Sequence, residues 1–202
     1  MRAPDKDIAG LARHPWSRAV IALAVLAALV VVALGGLRPA QSRQTLATIS
    51  AGQAASNGAY RLTPQCAWVA ALMPGRDYPE PGLRYLVLRL RVVNQMESAR
   101  PGLEQDVVWL PQGKGAERKP DLLLRADDHS LYVQLQPRLP ATVDLVWKLS
   151  ERTPILQPPS WGVIKREYVP KGYLSGEGGW LQGDPAFKMQ LPAGASCTAG
   201  AR

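Results

Sequence analysis

Between Ala19 and Leu37 the chain reads AVIALAVLAALVVVALGGL, 19 residues without a charged or strongly polar side chain. At about 1.5 Å of rise per residue, a helix of that length matches a hydrocarbon core of about 30 Å. In lipid a lone segment satisfies its backbone polar groups only as a helix. A buried helix of a water-soluble domain normally carries polar residues along one face, and this run carries none. The expectation is one transmembrane helix over residues 19–37, with membrane lipid as the chain's first partner. Arg2, Lys6, Arg13 and Arg18 precede it and only Arg38 and Arg43 follow closely, a bias that sets residues 1–18 as a cytoplasmic tail.

A cleaved signal peptide is the competing reading. Its charged front and apolar middle fit, but the run is long for a signal core, and Arg38-Pro39-Ala40 makes a poor cleavage site. No cysteine stands just after the run to take a lipid anchor. An uncleaved anchor is therefore expected, with plasma-membrane localisation and an extracytoplasmic C-terminal part.

Residues 38–57 are rich in Ala, Ser, Gln, Thr and Gly and suit a linker, although Gln44–Ile49 also alternates weakly enough for a first strand. Beyond them the apolar period changes to two. Leu86, Leu88, Leu90 and Val92 share one face, and Arg89 and Arg91 mark the other as at least partly wet. Val143, Leu145, Trp147 and Leu149 repeat the pattern against outward Asp144 and Lys148, and Leu131, Val133 and Leu135 repeat it over a shorter span. Shorter candidates are Cys66–Leu72, Val107–Leu110, Leu122–Leu124, Val163–Val169 and Phe187–Leu191. The 18 Pro and 18 Gly fall largely in clusters between these stretches. Roughly seven to nine short strands punctuated by turns predict a mainly β fold, an immunoglobulin-like antiparallel sandwich over residues 58–192 with a tail at 193–202.

The run Tyr85-Leu86-Val87-Leu88-Arg89-Leu90-Arg91-Val92-Val93-Asn94 resembles the hydrophobic strand ending in Asn of telokin-like extracellular domains. Leu135-Gln136-Pro137-Arg138-Leu139-Pro140, followed by Val143–Leu149, is similar to their proline turn and penultimate strand. The resemblance covers roughly residues 57–192. It implies an envelope binding or interaction module and brings no catalytic residues.

Cys66 and Cys197 both fall on the outer side in this topology, where an oxidising compartment permits a bridge. The alternative is a buried free Cys66 beside a frayed Cys197.

Asp127-Asp128-His129-Ser130 carries acid, base and nucleophile types, but neighbours on one loop cannot form a triad among themselves. It reads as a polar turn. His129 is the only histidine outside the tail, which excludes a multi-His zinc site. Asp121, Asp127 and Asp128 lack calcium-loop spacing. No metal, cofactor or enzymatic activity is expected. The stretch Gly172–Gly183 has no phosphate-loop context, but with Tyr168, Tyr173, Trp180 and Phe187 it forms a candidate binding edge. The loop Gly113–Pro120 sets Lys114, Arg118 and Lys119 against Glu117 and reads as solvated. Residues 38–202 hold 20 basic and 14 acidic side chains, a surface suited to anionic headgroups or wall polymers. Topology and the lack of a recognised module speak against nucleic acid. The expected role is protein interaction in an envelope assembly, with small-ligand, ion or wall-polymer binding as the alternative.

Overall fold

The structure, a computed structural model, describes residues 23–26, 46–99, 102–111, 117–131, 133–171, 178–194 and 197. The chain divides into two compact units, Met1–Thr45 and Leu46–Arg202. In the first, residues 23–26 are helical and exposed. The rest of the predicted membrane segment lies outside the described residues. Among the described residues no helix is long and apolar enough to cross a membrane.

The second unit is a β-sandwich. One sheet runs β10 (Ala193–Gly194), β3 (Tyr60–Ala70), β4 (Leu83–Asn94), β7 (Pro140–Ser150), β6 (Leu122–Arg125), with β2 (Ala55–Ser56) also on β3. The other runs β1 (Thr48–Ile49), β9 (Gly179–Gln190), β8 (Ser160–Val169), β5 (Val107–Leu110). Contacts of β4 with β3 and β7 are antiparallel along nearly its whole length. Its alternation is that of a central strand: Leu86, Leu88, Leu90 and Val92 are fully buried between the sheets. They meet Trp109, Trp161, Val163, Phe187 and Met189 from the opposite sheet in one core.

The second face of β4 is wet over only part of its length. Tyr85 and Val87 are fully buried in a second cluster with Met73, Leu124 and Val146. Asp144, expected to point outward into water, points outward and has no exposure. Register explains this: Arg89 stands directly opposite Asp144 and makes two 2.7 Å bonds to its carboxylate. The guanidinium lies 5.2 Å from the Trp68 ring centre, which completes the cover.

Three boundaries differ from the sequence reading. The sandwich begins inside the expected 38–57 linker, because Thr48–Ile49 pairs with β9 and Ala55–Ser56 pairs with β3. It reaches into the expected tail through Ala193–Gly194 on β3. Among the described residues of the expected strand Leu131–Leu135, no ladder strand is formed. Val133 and Leu135 are buried, whereas Leu131 is 65% exposed. The alternative first strand at Gln44–Ile49 is met at Thr48–Ile49, whereas Ala55–Ser56 and Ala193–Gly194 are too short to show a period.

Asn94 ties the two segments that carry the family resemblance. Its side-chain amide donates to the Leu135 carbonyl at 2.8 Å and the Ser98 carbonyl at 2.9 Å, and its Oδ1 accepts from the Met96 N–H at 2.8 Å. Replacing Asn94 by Ala leaves these buried groups without partners. The expected cost is about 2 kcal/mol of stability, read from urea unfolding midpoints at unchanged slope.

In β3 the register slips between Pro64 and Cys66, so Gln65 is an extra residue. A bulge reverses which side chains face the core. Tyr60 and Leu62 face inward before it and Ala67 after it, which turns Cys66 outward beside Arg89. There it forms a disulfide with Cys197, with Cα atoms 5.8 Å apart. Since β10 runs parallel to β3 at Ala67 and Trp68, the chain end is delivered to the same strand.

Candidate binding edge on the β8–β9 hairpin

The glycine-dense stretch is in part a strand, since β9 starts at Gly179 and pairs with β8 along its length. Cross-sheet support stops early. β5 pairs with β8 only from Ser160 to Val163, and β1 pairs with β9 only at Lys188 and Met189. Among the described residues, the hairpin from Ile164 to Val169 and from Gly179 to Pro185 thus extends beyond its sheet neighbours.

A buried polar knot holds the base of this extension. Asp106, with no exposure, accepts from Arg166 Nε at 2.7 Å and from Asn57 Nδ2 at 3.1 Å, and it ion-pairs Arg166 Nη2 at 2.5 Å. Asn57 Nδ2 also bonds the Ile164 carbonyl at 3.0 Å, and Asn57 Oδ1 accepts the N–H groups of Ala59 and Tyr60 at 3.1 and 2.8 Å. Backbone bonds finish it: Ile164 N–H to the Asp106 carbonyl at 2.8 Å, and Arg166 N–H to the Asn57 carbonyl at 2.6 Å. Gly58 has φ of +101°, and a Cβ there would stand 2.1 Å from the Arg166 carbonyl oxygen, so no other residue fits. Burial raises the Asp106 carboxyl above the usual range, only partly opposed by hydrogen bonding and charge from Arg166 and by the Asn57 bond.

Of the four aromatics expected on the edge, two meet there. Tyr168 and Trp180 are register partners, their ring centres 5.5 Å apart at 56°. Tyr168 is 56% exposed, and Leu181 beside Trp180 is 58% exposed. Phe187 does not belong to the edge: it packs in the core at 4% exposure, because it lies where β9 is backed by the opposite sheet. Tyr173 lies outside the described residues. Leu181 was missed, since one leucine among glycines carries no period.

The free side of β9 is poorly suited to adding another strand. Two register irregularities fall between Val163 and Arg166 opposite Gln182 to Phe187, and Gly183, Asp184 and Pro185 occupy that stretch. Bulges, charge and proline are the usual means of blunting an edge. The hairpin therefore offers side chains rather than a backbone ladder.

The Asp127–Ser130 segment is a turn whose acids serve the loop itself. Arg125 bonds Asp127 at 2.6 and 3.0 Å and holds its carboxyl well below the usual range, and Asp128 Oδ1 accepts the Ser130 N–H at 3.0 Å. His129 packs against Gly75 of the β3–β4 connection. Among the described residues no group of three or more His, Cys, Asp or Glu is placed to hold a metal.

Fold and site together define a two-sheet β-sandwich that presents an aromatic hairpin. No protein-family model matches the chain, and no curated protein matches it. Among solved structures, an uncharacterized β-sandwich protein from Clostridium difficile 630 is similar, at 10% identity and a TM-score of 0.50, over 76% of this chain and 99% of that one. At that identity the likeness shows the fold alone.

Proposed function

We propose that the chain is a single-pass, membrane-anchored, extracytoplasmic protein-interaction module of a bacterial envelope assembly, held by residues 19–37 and contacting its partner through the β8–β9 hairpin. The observation that carries this reading is the Tyr168–Trp180 ring pair, exposed at Tyr168 and half-buried at Trp180, with Leu181 exposed on the other face of the same strand, on a hairpin reaching past its described sheet neighbours and braced from below by Asp106 and Arg166. Aromatic side chains on a rigid support supply contact area at low entropic cost. The Cys66–Cys197 disulfide supports an oxidising compartment.

The immunoglobulin-like and telokin-like readings belong to the same proposal. Counting from β3, the sheets β3-β4-β7-β6 and β9-β8-β5 follow the A-B-E-D and G-F-C order of constant-type immunoglobulin domains. Trp109, on the strand matching C, is buried at 2% exposure.

Two measurements test the proposal. With a membrane-impermeant thiol reagent on intact cells, labelling is expected only after reduction. Labelling that waits for lysis overturns the topology. A photoreactive amino acid at position 168 or 181 is expected to give a discrete cross-linked species in cells, lost on adding Leu181→Asp to the position-168 protein. Diffuse or absent cross-linking at both positions overturns the hairpin as the contact.

A further inference from the structure

We propose that the outer face of the β5–β8–β9 sheet is a binding groove for a long-chain carboxylate. Trp109, Trp161, Val163 and Met189 point into the core, so Val108, Leu110, Gly162 and Lys188 lie on the opposite face. An outer sheet face is ordinarily polar. Here Val108 is 4% exposed, and Leu110 and Ile164 are half-buried.

These side chains line a cavity of about 700 Å³ that also takes in Lys119 and Lys188. Cavities of about 300–1,000 Å³ are the usual size for small-molecule sites. Gly162 forms the floor: a Cβ there would lie 3.2 Å from Val108 Cγ2, so the trough exists because the side chain is absent. The apolar floor suits a hydrocarbon chain, and a single trough suits one chain rather than the two of a phospholipid.

Charge at the rim selects the head. Lys119 and Lys188 stand against Glu117, and neither lysine has an ion-pair partner among the described residues. Two uncommitted ammonium groups beside an apolar trough match a carboxylate and disfavour a cationic or neutral head. The inference stands apart from the hairpin's role and does not require it.

The test uses the full chain in phosphatidylcholine nanodiscs, a long-chain fatty acid bearing a mid-chain diazirine, and the corresponding neutral alcohol. After irradiation, cross-links are mapped by mass spectrometry. The acid is expected to label peptides containing Val108–Leu110 and Gly162–Ile164. The exposed double change Lys119→Glu with Lys188→Glu is expected to lower labelling by the acid about fivefold or more while barely changing that by the alcohol. Gly162→Val, which fills the floor, lowers both. Labelling by either probe across residues 19–37 serves as the internal control and stays constant. Groove labelling indifferent to Gly162→Val, or labelling confined to residues 19–37, overturns the site. Equal loss of acid and alcohol in the lysine variant overturns the carboxylate head.

Discussion

Asp106→Ala is expected to lower the stability of the sandwich by about 3–5 kcal/mol, the usual cost of removing one member of a buried, hydrogen-bonded ion pair. The loss is large because Arg166, with a side chain only 17% exposed, keeps its charge and loses its partner. Asn57 loses an acceptor in the same step. Unfolding in urea reads the effect. A cost below about 1 kcal/mol would mean that water replaces the carboxylate, as at an exposed pair.

Protonation gives a second handle on the same knot. The Asp106 carboxyl lies above its ordinary value because burial outweighs Arg166 and Asn57. A carboxyl raised on folding contributes fully below the unfolded value, about pH 4, and less as pH rises through the folded one. Asp106→Asn does not titrate. The stability advantage of the native protein over that variant should therefore shrink between about pH 4 and neutrality. A widening gap would contradict the burial argument.

Cys197→Ser, or reduction of the native protein, is expected to cost about 2–4 kcal/mol and to lower the melting temperature by roughly 5–15 °C. The bridged cysteines are 131 residues apart, so the cross-link removes a large part of the unfolded chain's freedom. The change should spare the core and loosen the β10–β3 pairing first, since Ala193–Gly194 make only a two-residue parallel contact. Hydrogen exchange at Ala67 and Trp68 should rise in the variant before global unfolding does. An unchanged melting temperature would show that the tail contributes nothing once folding is complete.

The long strands were legible because their period is strong. β4 and β7 each present a continuous apolar face, and the clusters of Pro and Gly locate their ends. β3 was half legible, because the extra Gln65 breaks the phase and leaves only Cys66 onward in step. The first half of β9 was not legible: Gly179, Gly183 and Pro185 hide a strand made of bulges. At the site, Tyr168 could be read as an exposed aromatic, whereas Trp180 and Phe187 had the same chemistry and lie deeper, half-buried and buried respectively. The Asp106–Arg166–Asn57 knot had no sequence signal at all. Its members lie far apart in the chain, and each alone looks like an ordinary surface residue. Likewise, nothing local marks Arg89 and Asp144 as a pair until strand register sets them opposite each other.

The position of the bridge has a consequence for how the domain is made. Cys66 lies on the first long strand and Cys197 follows the last one, so every intervening strand must be synthesised before the thiols can meet. Oxidation then waits until the last strand has been made, and a chain cut short anywhere before residue 197 leaves Cys66 as an unpaired thiol. That thiol would distinguish an interrupted copy from a finished one for any oxidoreductase that surveys its compartment.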